Sequence, residues 1–152
     1  LFRLQADSTD LPEPQLPNYE AIIRPSIESA LLSSNPIKAL AASTQNWPAG
    51  PFLDRAKSSF LKGSAITAAI IIEQFERAQS QDLLAMFKME LTIAVACSRQ
   101  GEFTEGVRAL LIEKDGQPQW RFELGEVPNE VVQSHFEHHW PVHPMADLSV
   151  SK

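Results

Sequence analysis

From Asn18 onward apolar residues recur at three- and four-residue steps, with Ile22, Ile23, Ile27, Ala30 and Leu31 on one stripe. The pattern predicts a helix, which Pro25 bends or restarts. Asn35-Pro36 predicts the next helix start, because an Asn side chain accepts from a free amide and Pro in the first turn loses no hydrogen bond. Gly50-Pro51 repeats that start, and Phe52, Leu53, Ala56, Phe60 and Leu61 form a stripe that closes at Lys62-Gly63, with Gly63 expected in a left-handed cap. Ser64 is expected to cap Ala65 to Ala78, whose first half is apolar all round (Ile66, Ala69, Ile70, Ile71, Ile72) and so predicted to be deeply buried, while its second half is polar.

Ser80 then opens the longest predicted helix, with Leu83, Leu84, Phe87, Leu91, Ala94 and Val95 on its stripe and Arg99-Gln100-Gly101 as its stop. Periodicity cannot assign Val107 to Ile112 between a short helix and a buried strand. Asp115-Gly116 marks a turn, so a strand pair over 107–122 stays open on this evidence. Pro128 to Phe136 is a last predicted helix. Residues 5–18, with Pro12, Pro14 and Pro17, read as a linker arriving from an earlier domain, and Trp140 to Lys152 as a tail without periodicity. The expected division is a linker over 1–17, one helical domain over 18–137 and a tail over 138–152.

Composition narrows the function classes. The 152 residues are 43% apolar and 21% charged, enough for one core. A formal charge of −6 lacks the clustered cationic excess that phosphate neutralisation needs, so no nucleic-acid partner is expected. The strongest apolar run, Ala65 to Ile72, falls far short of the roughly 20 residues of a membrane helix, and no membrane partner is expected. A single cysteine, Cys97, excludes an intrachain disulfide and fits a reducing compartment; a cytoplasmic location is the default. The first residues, Leu1-Phe2-Arg3-Leu4, do not read as a signal peptide, and the chain reads as one that begins within a larger protein.

The stretch Gly101-Glu102-Phe103-Thr104-Glu105-Gly106-Val107-Arg108-Ala109-Leu110-Leu111-Ile112-Glu113-Lys114-Asp115, with Pro118 and Trp120 after it, resembles the F-x-E-G-V-R-A-L-L-I-D-K-D…P-x-W signature of 3-hydroxyisobutyryl-CoA hydrolases in the crotonase (enoyl-CoA hydratase/isomerase) superfamily. Met89 to Arg99 looks like the helix that precedes it. Gly63-Ser64 resembles the family's S-P-x-S helix start, with Ala65 where that pattern has Pro. The resemblance spans residues 18 to about 137 and is densest between 80 and 122. It implies that Glu105 to Ala109 is helical, that the chain then runs extended, and that this is the all-α C-terminal part of a crotonase-like protein whose α/β spiral core lies upstream. The implied chemistry is hydrolysis of a small acyl-CoA thioester in valine breakdown, with carbonyl charge stabilised by backbone amides. Those elements lie upstream, so no catalytic residue is carried over; CoA is part of the substrate and no separate cofactor is implied.

Each chemical candidate has a plainer alternative. Glu102 and Glu105 suggest paired carboxylates, but acidic residues at a helix start serve the macrodipole and cap free amides. Lys114 stands near the place where related hydratases have a lysine that contacts the CoA phosphates. Arg108 is a second such candidate, against a structural ion pair or hydrogen bonds to carbonyls. His135, His138, His139 and His143 form a metal-like cluster, His135 and His139 four apart. No carboxylate or thiolate spacing accompanies them, so solvated or partly packed histidines are the favoured reading and no metal is expected. Cys97 fits a small core side chain better than a nucleophile; Trp47, Trp120 and Trp140 fit anchors.

The leading expectation is therefore the C-terminal helical part of an acyl-CoA thioester hydrolase, with acyl-CoA and its own upstream core as partners. The alternatives are a helical interaction or oligomerisation module without catalysis, and a hydratase or isomerase of the same superfamily. Without the core, parts of Phe52–Leu61 and Val107–Ile112 are expected to form an exposed apolar patch and to drive homo-oligomerisation.

Overall fold

A computed structural model describes residues 19–138 and 140–148. The linker expected over 1–17, together with residues 18, 139 and 149–152, lies outside them. The elements in chain order are α1 (Tyr19–Leu31), α2 (Pro36–Ser43), a 3-10 turn (Thr44–Asn46), α3 (Pro51–Leu61), α4 (Ala65–Ala78), α5 (Leu83–Arg99), α6 (Glu102–Val107), a π-helical turn (Arg108–Ile112) and α7 (Asn129–Ser134). No strand occurs among the described residues, so the chain is all-α and the strand pair left open over 107–122 is not formed.

Local chemistry sets the helix starts. Asn35 accepts from the Lys38 amide and Pro36 follows it; Ser64 accepts from the Thr67 amide. The cap of α5 is Asp82, which accepts from the Ala85 amide, and not Ser80. Ser80 instead donates its hydroxyl to the Arg77 carbonyl and helps close α4. Pro25 sits inside α1 without ending it. Gly101 stops α5 at φ +93, as the sequence predicts. Gly63 is not left-handed. It is needed for space, since a Cβ there would stand 3.1 Å from the Ser59 carbonyl oxygen and 3.3 Å from that of Phe60.

The core joins α4 and α5 through Ile66, Ile70 and Ile93, with Met89, Cys97, Phe122, Val127, Val131 and Phe136 packed against them. Burying each isoleucine contributes about 1.5–3 kcal/mol. Two expectations of burial are corrected: all-round burial of the first half of α4 and the stripe on α5. On α4, Ile66 and Ile70 are buried but Ile71 is 58% exposed; on α5 the buried positions are Thr92, Ile93 and Ala96, whereas Leu83 and Phe87 face water. Ala96 on α5 and Ala109 in the π-helical turn are fully covered, small side chains suited to close packing. Beyond the π-helical turn the chain runs without regular structure to Pro128, as the resemblance implies, and supplies Phe122 and Val127 to the core.

Polar side chains fasten the layers. Arg77 of α4 lies 4.0 Å over the Phe136 ring and donates to Gln133 of α7. The Glu73 carboxyl is held below its ordinary range, first by hydrogen bonding from Arg77. Trp47 donates to the Ser26 hydroxyl at 3.1 Å and ties the 3-10 turn to α1. Trp47 is an anchor of the kind expected of an aromatic ring with a polar edge.

Candidate functional site

The segment that carries the sequence signature walls a groove of about 480 Å³, lined chiefly by apolar atoms of Ile66, Cys97, Phe103, Val107, Leu110 and Leu111. Trp120 closes one side. Its indole donates to the Lys62 carbonyl at 2.7 Å, and its ring lies 3.4 Å from where a Cβ on Gly106 would stand. Trp120 therefore pins the extended chain to the end of α3 across the face of α6, the anchoring role expected of it. At one end of the groove the Ser64 hydroxyl donates to Glu102, whose other carboxylate oxygen accepts from the Arg121 amide at 3.2 Å. Burial, and then the nearby Glu102 carboxylate, push the Cys97 thiol above its ordinary range. A thiol raised in this way ionises less readily, as suits a small packing side chain.

Glu105 faces a different partner. Arg108 grips it with two donors, Nε to Oε2 at 2.9 Å and Nη2 to Oε1 at 2.7 Å, and the Gln119 amide donates to Oε1 at 2.6 Å. The same guanidinium donates to Glu113, to Asp115 at 2.8 Å and to the Gln117 carbonyl at 3.2 Å. Arg108 is thus the centre of a clasp that folds residues 113–119 back onto α6, the structural reading of this residue. Its fork geometry suits that task. Glu102 and Glu105 are separated by function: one secures the start of α4, the other the clasp.

The clasp has a pH signature. Hydrogen bonding from Arg108, then from the Gln119 amide, lowers Glu105 from 4.5 to about 2, and the guanidinium lowers Asp115 as well. A carboxyl depressed in the folded state contributes stability that is fully present above its unfolded value and is lost as pH falls through the folded one. Melting temperature is expected to fall between pH 4.5 and 2, and Glu105→Gln to flatten that slope while lowering stability at neutral pH. An equally steep acid slope in the variant would remove Glu105 from this role.

Lys114 projects from the end of the clasp at φ +56, a left-handed backbone for a non-glycine residue, and is exposed. It stands apart from the Arg108 guanidinium's ion pairs. The histidines do not gather. His135 is fully buried, which corrects the expectation of a solvated or partly packed ring. Its Nδ1 donates to the Val131 carbonyl at 2.7 Å and its Nε2 is buried without a partner. His138 is exposed, His143 is half-buried against α5, and His139 lies outside the described residues. Among the described residues no group of three or more His, Cys, Asp or Glu is placed to hold a metal ion, and no helix is long and apolar enough to cross a membrane.

Around the groove the signature segment leaves a strongly apolar surface: Phe103 is 63% exposed, Leu110 64%, Leu111 67% and Ile112 71%. Phe52 and Leu61 of α3 are also exposed. These are the two segments in which the sequence predicts such a patch. The apolar run could be found in the sequence; the groove could not, because it forms from α4, α5, α6 and Trp120 together.

The sequence pattern of the enoyl-CoA hydratase/isomerase family matches residues 4–136. The chain belongs to that family. Among its curated relatives, 3-hydroxyisobutyryl-CoA hydrolase, mitochondrial, of Gallus gallus is 34% identical over 88 residues, 57% of this chain and 23% of the relative. The protein of that name from Homo sapiens is 38% identical over 77 residues, 50% of this chain and 20% of the relative. The chain thus spans about a fifth of the length of the relatives it matches. These relatives are named as mitochondrial proteins, where the sequence alone suggests a cytoplasmic location for this chain.

Proposed function

We propose that this chain is the C-terminal helical part of an acyl-CoA thioester hydrolase of the 3-hydroxyisobutyryl-CoA type, packing over a catalytic core contributed by the rest of a longer protein. The observation that carries this reading is the apolar surface formed by Phe103, Leu110, Leu111 and Ile112 beside the groove. A contiguous patch of large apolar side chains on the segment with the family signature marks a surface built to be covered. In this reading the groove faces the core, the Arg108 clasp holds the covering segment rigid, and Lys114, free of the clasp, offers an ammonium to a CoA phosphate. Catalytic groups and acyl-group selectivity belong to the core, the substrate is an acyl-CoA, no further cofactor takes part, and the compartment follows the relatives.

The same patch also favours a second reading, a helical interaction module that self-associates through it. A chimera separates the two: this chain joined to the part of the human relative that it does not match. Hydrolysis of 3-hydroxyisobutyryl-CoA is expected from the chimera and none from the chain alone. Activity in the chain alone would overturn the assignment of catalysis to the core, and an inactive, folded chimera would leave the interaction module.

A further inference from the structure

We propose that a second cleft, separated from the signature groove by the Trp120 ring, binds a flat aromatic anion of the purine nucleotide class. The cleft has a volume of about 340 Å³ and is lined by Leu61 and Lys62 at the end of α3 and by Gly116, Gln117, Pro118 and Trp120 of the extended segment. Small-molecule sites begin at about 300 Å³. The cleft shares only Trp120 with the signature groove, so that ring is the partition between them.

The walls decide the shape of the ligand. The Trp120 indole N–H already donates to the Lys62 carbonyl at 2.7 Å, so what the residue still offers is its π surface. Leu61 and Pro118 extend that apolar surface. Gly116, left-handed at φ +63, adds bare backbone, with open space where a Cβ would stand. Such a slot suits a planar ring that stacks, as bases stack on aromatic side chains.

The charges decide its sign. The chain carries a formal −6, and three other hollows each have a carboxylate residue in their walls: Glu102 in the signature groove, Glu73 between α2, α4 and α7, and Glu20 and Glu28 along α1. The Trp120–Lys62 cleft has none. Glu113 and Asp115, on the neighbouring loop, are turned to Arg108. Lys62 stands in the wall, and its ammonium joins no ion pair among the described residues. On its flexible four-carbon stem it can meet an anionic group at the mouth, and the Gln117 side-chain amide adds a neutral donor. A cationic ring would face Lys62 without a compensating carboxylate, and a neutral ring would leave the ammonium unused. A ring that carries a phosphate uses both, which is the chemistry of a purine nucleotide.

Adenosine monophosphate is the probe, read by the indole N–H resonances of the full chain in 15N–1H spectra at low salt. The Trp120 resonance is expected to shift saturably, with half-saturation near ~1 mM, while that of Trp47, tied to Ser26, stays in place. Ribose 5-phosphate, the anion without the ring, should leave Trp120 unmoved. Adenosine, the ring without the anion, should bind about 2–5-fold more weakly, the effect of one exposed ion pair. Lys62→Gln keeps the backbone carbonyl that holds Trp120 and should bring adenosine monophosphate down to the affinity of adenosine, with adenosine itself unaffected. Coenzyme A carries the same ring and phosphates: equal affinity for the two would assign the cleft to free nucleotides, and tighter binding of coenzyme A to the nucleotide end of a coenzyme A ester. A Trp120 resonance that stays fixed up to about 10 mM adenosine monophosphate would overturn the site. So would an equal response to ribose 5-phosphate, or an adenosine monophosphate affinity that Lys62→Gln leaves unchanged, since each removes one of the two features that define the ligand.

Discussion

Gly125→Ala is expected to destabilise the fold by about 2–3 kcal/mol, whereas Gly116→Ala should cost only about 1–2 kcal/mol. Both glycines adopt left-handed backbone, at φ +76 and φ +63, and so share the penalty of placing a Cβ there. Their surroundings differ. At Gly116 nothing lies within 4 Å of the added carbon; at Gly125 it would stand 2.5 Å from Lys38 Cγ and 2.7 Å from Asn35 Oδ1. Asn35 has little room to retreat, since its Oδ1 accepts from the Lys38 amide at 3.1 Å to cap α2 while its Nδ2 donates to the Gly125 carbonyl at 2.8 Å. Relief of the clash must therefore break the cap or the tie between α2 and the extended segment, at about 1 kcal/mol for the cap alone. Urea denaturation should show a lower midpoint with an unchanged slope. Equal costs at the two glycines would show that the contact with Asn35 carries no energy.

The contrast between these glycines shows where sequence reasoning reaches its limit. Asn35-Pro36, Ser64 and Gly101 were legible because a cap depends on residues two to four positions away, and the structure uses all three as expected. Gly125 gives no such signal: its importance comes from Asn35, ninety residues earlier. The same distinction explains the rotated stripe on α5. Leu83 and Phe87 fit a helical period with Leu91 and Ala94 as well as Ile93 does with Met89 and Cys97, and only the positions of α4, α6 and α7 decide which set is covered. His135 illustrates the point for a polar residue, since the sequence favours a solvated or partly packed ring while tertiary packing buries it completely. In the signature segment, periodicity alone left Val107–Ile112 undecided. A π-helical turn explains why: Glu113 donates its amide to the Arg108 carbonyl five residues back, so the segment follows neither the 3.6-residue period nor the two-residue alternation. The Arg108 clasp likewise draws on residues at separations from three to nine, a spread that no periodic template describes.

Leu110→Asp combined with Leu111→Asp should leave the isolated chain's melting temperature nearly unchanged and abolish thioester hydrolysis by the chimera with the human relative. The first half of the expectation follows from exposure. At 64% and 67% exposed, the two side chains make little of the chain's own core, and substitutions at such positions usually fall within about ±0.5 kcal/mol. The second half follows from the proposed docking. Covering a leucine contributes about 1.5–3 kcal/mol, and an aspartate in its place must be desolvated without a partner. Two such changes should weaken the contact with the core enough to lower activity by more than about 100-fold. A control at Ile71, which is 58% exposed on α4 and outside the groove, separates a specific docking face from a general demand for apolar surface: Ile71→Asp should leave the chimera active. If both sets of variants retain full activity, the apolar segment does not dock on the core. If both lose it, the loss comes from solubility or folding of the chimera, which its circular dichroism and sedimentation would reveal. Activity lost only with Leu110 and Leu111 substituted would assign the covering face to the segment that carries the family signature, and would make the Arg108 clasp behind it the device that holds that face in shape.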